Sequence, residues 1–302
     1  MKAVQFSDYG DPDVLRVADV EEPHAAAGQI RVAVEGAGVN PIDWKMRSGA
    51  MREAMPLELP KIPGSDVAGV VDEVGEGVTD VAVGDEVFGS AVGGATAEYA
   101  LLDHYATKPG ELPWADAAAL PVAAETSLRA LDLLGLEPGH TILINGAAGA
   151  AGLASVQFAR ARGARVIGTA SESNHEFLRT LGAEPTTYGD GLVERVRELA
   201  PDGVDRALDT AGRGALPDLV EITGNPDHVV TIADFTAAEH GVRITTGADG
   251  RSWEALDEAA RLYEAGSLTM PVEQTFSFEQ APDAHRVSQE GHVRGKLVLI
   301  PD

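Results

Sequence analysis

The stretch from Thr141 to Arg160, TILINGAAGAAGLASVQFAR, constrains the fold of this chain more than any other. Ile142-Leu143-Ile144 is a short unbroken apolar run, as a strand buried on both faces requires. A turn of small residues follows from Asn145 to Gly152, and then a helical pattern with Leu153, Val156 and Phe158-Ala159 on one side. Strand, tight glycine turn and helix together make a phosphate cradle. The turn lets a pyrophosphate approach the backbone, and unpaired N–H groups at the helix start face its charge. In the spacing G-x-G-x-x-G, Ala147 stands at the first position and Gly149 and Gly152 at the second and third. The same residues also suit a plain small-residue contact between helix and sheet. As a cradle, the turn places Gly149, Ala150, Ala151 and Gly152 closest to the phosphates.

The rest of the chain supplies the context. Residues 1–112 read as short strands and glycine turns, with strands expected at Gln29–Val34, Val67–Val74, Asp85–Gly89 and Ala97–Leu102. That spacing without long helices predicts an antiparallel, barrel-like unit. From Trp114 to Leu134 the apolar residues fall at helical spacing, with Pro121 the one proline in the stretch. From Thr141 strands and helices alternate, with further strands at Arg165–Thr169, Thr186–Tyr188, Val204–Asp209, Val229–Ala233 and Val242–Thr245. Such alternation predicts a doubly wound parallel sheet. Ser252 is placed to cap a helix running to Ala265, and Phe276–Phe278 and Lys296–Ile300 return to the style of the first hundred residues. The expected architecture is α/β and interrupted: a β-rich domain from residues 1–112 and 248–302, and a dinucleotide-binding domain from 113–247. The cleft between them is the expected ligand site.

Composition excludes several classes. The 302 residues contain no cysteine, so disulfides, thiolate metal sites and thiol nucleophiles are ruled out. No apolar run is long enough for a membrane span, and the first residues lack the pattern of a secretory signal. The expected compartment is the cytoplasm. A formal net charge of −25 opposes nucleic acid and anionic membranes as partners. An anionic cofactor must then be held by local donors against the global field.

The end of the second parallel strand tests which dinucleotide is bound. An acidic residue there would take the ribose 2′-OH of NAD. This chain has Thr169-Ala170-Ser171. Ser171 can donate to a 2′-phosphate, with Asn174 and His175 just beyond, which favours NADP(H). Glu172 could turn inward and select NAD, and Ser171 and Asn174 also suit helix capping.

Several pieces in order resemble the medium-chain dehydrogenase/reductase superfamily, and within it the zinc-free quinone oxidoreductase (zeta-crystallin-like) branch. They are Gly38-Val39-Asn40-Pro41-Ile42-Asp43 with Lys45 and Arg47-Ser48-Gly49, Ile62-Pro63-Gly64-Ser65-Asp66-Val67-Ala68-Gly69-Val70-Val71, Gly84-Asp85-Glu86-Val87-Phe88-Gly89, the glycine turn, and Gly295-Lys296-Leu297-Val298-Leu299. The resemblance implies a GroES-like catalytic domain from both chain ends beside a Rossmann domain. Zinc-dependent relatives place ligands where this chain has Asn40, Ser65 and a residue near Val122. None of these is a good zinc ligand, so no metal is expected. It further implies cofactor contacts at Thr126, Tyr188, Ala211-Gly212 and Ala233 to Phe235, and a homodimer through the edge of the Rossmann sheet near Val242–Thr245.

Without a Lewis acid, the chemistry implied is hydride transfer from NADPH to a small electron-poor acceptor, a quinone or an α,β-unsaturated carbonyl. Asn40 could bind a carbonyl or the cofactor ribose, or simply form a turn. Asp43 and Lys45 could pair with each other, or Lys45 could reach a substrate oxygen or a phosphate. Some relatives have tyrosine at the Lys45 position. Trp44 and Phe235 suit a pocket or a core. Two alternatives remain: an enoyl-thioester reductase of fatty-acid or polyketide type, and a non-catalytic NADPH-binding protein.

Overall fold

The computed structural model describes residues 1–248 and 250–301. The chain divides into two compact units, Met1–Val122 with Leu256–Asp302, and Ala123–Ala255.

In the first unit, β1 (Lys2–Gln5) and β2 (Arg16–Asp19) form an antiparallel pair. β3 (Ile30–Val39) leads through the short helix α1 (Pro41–Arg47) to β4 (Asp66–Val74), β5 (Glu86–Val92) and β6 (Tyr99–Thr107). These four strands are antiparallel neighbours in sequence order. Residues Ile30–Ala33 of β3 also pair with Tyr99–Leu102 of β6, so the sheet closes on itself. Closure removes the free edges a four-stranded sheet would expose. Alternate side chains, among them Ile30, Val32, Val34, Val67, Val71, Val87 and Leu102, point into one core.

The C-terminal half of β3 leaves β6 and pairs instead with β14 (Lys296–Ile300), which is parallel to β13 (Val272–Ser277). Helix α2 (Trp114–Ala118) lies against β3 and β4, and α8 (Ala255–Glu264) and α9 (Ala281–Glu290) complete the unit. Where α2 meets β3 the backbones come too close for side chains. A Cβ on Gly38 would stand 2.5 Å from the Ala118 carbonyl oxygen and 2.9 Å from Asp66 Cβ.

The second unit is built on six parallel strands. They are β7 (Thr141–Asn145), β8 (Arg165–Thr169), β9 (Glu184–Thr186), β10 (Arg206–Asp209), β11 (Val229–Thr231) and β12 (Arg243–Ile244). Their order across the sheet is β9-β8-β7-β10-β11-β12, the doubly wound order in which the progression of strands reverses between the first and fourth strands. Between them run α3 (Pro121–Leu133, before β7), α4 (Ala150–Ala161), α5 (His175–Thr180), α6 (Leu192–Leu199) and α7 (Leu216–Thr223). Ile142, Leu143 and Ile144 are all fully buried, so both faces of β7 are covered, as the apolar run requires. Leu143, Ile167, Ala207 and Val229 share one core with α6 and α7.

The structure redraws some local expectations. The helical stretch at Trp114–Leu134 is two helices, because Pro121 ends one and opens the next. The strand expected at Thr186–Tyr188 is Glu184–Thr186, and Tyr188 already lies in the loop beyond it. Ser252 does not cap α8, which starts at Ala255. Its N–H donates to Glu125 Oε1 instead.

The contact at Gly38 supports a direct check. Gly38→Ala overpacks backbone against backbone, and is expected to cost about 2 kcal/mol of stability. A fall in the urea midpoint with unchanged slope measures it.

Candidate active site

In the second unit, the ligand end of the sheet is framed by one chain of buried hydrogen bonds. Gly146 N–H donates to Thr169 Oγ1 at 3.0 Å, and Thr169 Oγ1 donates to Asn145 Oδ1 at 2.7 Å. Asn145 Nδ2 donates to Asp209 Oδ1 at 2.8 Å, which also accepts from the N–H groups of Ala211 and Gly212. Thr231 Oγ1 donates to Asp209 Oδ2 at 2.8 Å and accepts from Ala233 and Asp234 N–H. The four side chains end β8, β7, β10 and β11 and are all buried. The glycine turn, the loop at Ala211-Gly212 and the loop at Ala233 are thereby held on one frame. Sequence reasoning named the loops and missed the four residues that hold them. The available signal was a polar residue closing each of four apolar strands.

The turn itself differs in one detail from the spacing. Gly146, with φ of 81°, makes the left-handed turn at the strand end, and Ala147 is buried beneath it. Gly152 carries the close contact, since a Cβ there would stand 2.2 Å from the Gly146 carbonyl oxygen. A Cβ on Gly149 would find nothing nearer than 3.7 Å, so the space in front of the turn is open. The first turn of α4 has no intrahelical acceptors for its N–H groups, among them those of Ala150, Ala151 and Gly152. A phosphate-binding cradle of this shape fits a dinucleotide pyrophosphate. Ser127 on α3 donates to the Ala151 carbonyl at 2.8 Å and accepts from Ser155 Oγ, which fixes the start of α4.

The remaining expected cofactor residues fall as follows. Ser171 and Asn174 meet just past the end of β8, Asn174 Nδ2 donating to Ser171 Oγ at 3.0 Å. Glu172 is exposed, and His175 Nε2 lies 3.2 Å from the Ala170 carbonyl. Tyr188, just beyond β9, is 51% exposed. Its loop is clasped by Arg195, which donates to the carbonyls of Thr187 (2.9 Å), Gly189 (3.2 Å) and Asp190 (2.7 Å). Phe235 is 61% exposed. Thr126 sits beside an ionic cluster, its Oγ1 3.4 Å from Arg129 Nη2. In that cluster the buried Glu125 pairs with Arg129 at 2.7 Å and Arg251 at 3.3 Å.

In the first unit the centre is Asn40, which caps α1, with Pro41 at the first helical position. Its N–H donates to Asp43 Oδ2 at 2.7 Å. Its side chain is held from both ends: Nδ2 donates to Asp66 Oδ2 at 2.8 Å, and Oδ1 accepts from Lys296 Nζ at 2.6 Å. Lys296 Nζ also lies 2.6 Å from Asp66 Oδ2, and Asp66 Oδ1 accepts from Val122 N–H at 2.7 Å. All four side chains are buried. Asn40 thus has one amide hydrogen and one lone pair left for a ligand.

Of the alternatives open for Asp43 and Lys45, mutual pairing is the one their spacing disfavours. Two residues apart on a helix they point in different directions, and Asp43 takes up the Asn40 N–H instead. Lys45 Nζ lies 5.7 Å from the centre of the Trp44 ring. Asp66 and Lys296, the missed members of this centre, were visible as charged residues opening the apolar strands DVAGVV and KLVLI.

A cavity of about 120 Å³ opens beside this centre, lined by Phe6, Asp43, Met46, Leu57, Lys61 and Ile62 among others. Burial pushes the Asp43 carboxyl up to about 7. Nearby Asp66 adds to the rise, while the Asn40 N–H and Lys296 oppose it. On α9, burial next to Arg47 pulls His285 down to about 3.

A fold of this kind, with a phosphate cradle and a separate polar centre, defines a nucleotide-dependent oxidoreductase, and comparison with known proteins agrees. The alcohol dehydrogenase GroES-like domain family matches residues 26–112, and the zinc-binding dehydrogenase family matches 181–299. A chloroplastic quinone-oxidoreductase homolog of Spinacia oleracea is 38% identical over 330 residues, covering 100% of this chain and 98% of the relative. A chloroplastic NADPH-dependent alkenal/one oxidoreductase of Arabidopsis thaliana is 32% identical over 317 residues, covering 100% of this chain and 80% of the relative. The solved quinone oxidoreductase of Coxiella burnetii superposes with a TM-score of 0.85 at 30% identity, covering 99% of both chains. The chain belongs to the medium-chain dehydrogenase/reductase superfamily, in its zinc-free, quinone oxidoreductase-like branch.

The two shifted groups give stability opposite pH dependences. Asp43 is raised from 3.8 to about 7, so its contribution is full below pH 3.8 and is lost as pH rises to 7. His285 is lowered from 6.5 to about 3, so its contribution is full above pH 6.5 and is lost as pH falls to 3. Urea midpoints between pH 4 and 8 are expected to fall less on the alkaline side in Asp43→Asn and less on the acid side in His285→Gln.

Proposed function

We propose that this chain is an NADPH-dependent, zinc-independent reductase that passes a hydride to a small quinone or α,β-unsaturated carbonyl. The end of β8 carries the reading. There a hydroxyl and an amide, Ser171 and Asn174, stand together 3.0 Å apart, where an NAD-selective strand would present a carboxylate. Both can donate to a 2′-phosphate. Bound at this frame, NADPH supplies a hydride from its nicotinamide ring.

The chain's own residues supply the rest. The α4 amides, Ala150 to Gly152, hold the pyrophosphate. The loops at Ala211 and Ala233 to Phe235 border the nicotinamide, with Thr126 near that end and Tyr188 by the adenosine. Asn40 offers its remaining amide hydrogen to the acceptor oxygen or the cofactor ribose, and Lys45 extends from the same helix. The cavity beside Asp43 suits a compact acceptor more than the long acyl chain of an enoyl thioester. The place of action in this reading is the cytoplasm, in keeping with a charge of −25 that repels anionic membranes. Among the described residues, no helix is long and apolar enough to cross a membrane.

NADPH oxidation with a panel of quinones, enones and enoyl thioesters tests the reading. Turnover with quinones or enones, and a kcat/KM at least tenfold higher with NADPH than with NADH, is the expected result. Tight NADPH binding without turnover would leave a non-catalytic binding protein.

The reading includes a homodimer. β12 has only Arg243 and Ile244 and ends the sheet. An unpaired edge is a template for a second copy, and a twofold pairing would extend the six strands to twelve. Small-angle scattering is expected to give twice the 31.5 kDa chain mass, and a monomer mass would refute it.

A further inference from the structure

We propose that Asp43 carries the proton that completes the reduction and donates it to the acceptor in the adjoining cavity. The inference rests on the reductase reading above and names the proton source within it.

Three observations converge on this residue. Asp43 lines the cavity although its side chain is otherwise buried. The centre holds two buried carboxyl groups, Asp43 and Asp66, and one ammonium, Lys296, in contact with Asp66 at 2.6 Å. One cation neutralises one carboxylate, and a second bare charge in a dry site is costly. The cluster therefore keeps a proton. Both Asp66 oxygens already accept from donors, Oδ1 from Val122 N–H and Oδ2 from Asn40 and Lys296. Asp43 Oδ2 accepts the Asn40 N–H, which leaves Oδ1 to bear the proton. The upward displacement of this carboxyl to about 7 agrees with the count, and a group that titrates near the working pH makes an efficient general acid.

The charged groups around Asp43 come from each neighbouring element. Asp66 is on β4 and Lys296 on β14. Lys61 lines the same cavity, with its Nζ donating to the Gly93 carbonyl at 2.7 Å and its ammonium disfavoured by burial. Lys45 and Arg47 are on α1 itself. His285, on α9 against α1, stays neutral over the working range.

The step balances. The hydride brings two electrons and one proton to the acceptor, leaving an enolate or a quinol monoanion. The Asp43 O–H bond then breaks, and its proton forms the new O–H or C–H bond of the product. The carboxylate left behind takes a proton from water, so each turnover consumes one NADPH and one solvent proton.

Asp43→Asn tests the proposal while keeping a carbonyl for the Asn40 N–H. In the wild type, kcat with a quinone or enone is expected to be level at acid pH and to fall above about pH 7. In the variant that break is expected to vanish and kcat to drop about 100-fold at pH 6. KM for NADPH should stay within twofold, and the solvent deuterium effect should rise as water becomes the donor. A variant that keeps both the rate and the break overturns the proposal. Carboxyl ¹³C NMR of aspartate-labelled wild type, assigned by difference from the variant, reads the proton without turnover. A carboxyl still protonated at pH 6 supports the proposal, and one fully ionised at pH 5 overturns it. Failure of the acceptor panel would strike the reductase reading alone.

Discussion

What the parallel sheet presents to a ligand hangs on one buried carboxyl group. Asp209 accepts from an amide side chain on β7, a hydroxyl on β11 and two backbone N–H groups of its own loop. Strand pairing aligns the strands but leaves the loops beyond them free to wander. The hydrogen bonds from Gly146 to Asp234 remove that freedom, because each partner left unmatched in a buried site would cost about 1–3 kcal/mol. A cofactor spanning the ends of these four strands needs such a frame, since it must be positioned rather than merely bound.

The other unit solves a similar problem with charge. Asp66, Asn40 and Lys296 tie β4, the start of α1 and the start of β14 into one knot. A buried ion pair of this kind adds little net stability, because desolvation offsets the attraction. Its effect is geometric. The Asn40 side chain is gripped at both ends, and α1 is oriented through its N-cap. At the other end of the helix Arg47, fully buried, donates to the Gly10 carbonyl and to Gln289 Oε1. A seven-residue helix has too few internal bonds to hold itself, and these contacts do so in their place.

Elements with periodic or local signals were legible in the sequence. Ile142–Ile144, Lys296–Ile300 and the glycine turn each declare themselves through neighbours in the chain. Gly182 ends α5 with φ of 80°, as a C′ glycine should. Helix α1 was missed because seven residues are too short for an apolar stripe, although Asn40-Pro41 carried a start signal. β1 and β2 were also passed over, because each is only four residues long. The centres of both sites were harder to see. Asp66 and Lys296 meet across 230 residues of chain, and Asn145 and Asp209 across 64. Nothing local distinguishes a strand-ending polar residue that joins such a frame from one that faces water. The sequence pointed to residues expected to touch ligands and omitted those that hold their loops in place.

The arrangement at Asn40 also bears on the kind of acceptor this branch of the superfamily can use. Where zinc-dependent relatives carry a metal ligand, this chain has an amide, and the nearest cation is the ammonium of Lys296. That ammonium is buried and already engaged by Asp66 and Asn40. Its charge orients the centre, but it does not face the cavity and cannot polarise an incoming oxygen as a bound metal would. What the cavity presents at this centre is Asp43, an acid rather than an electrophile, because Lys61, the cation on its lining, is engaged by the Gly93 carbonyl. An acceptor that must be activated before it takes a hydride gains little from such a site. One that is already electron-poor needs only to be held and then given a proton, and quinones and enones are of that kind.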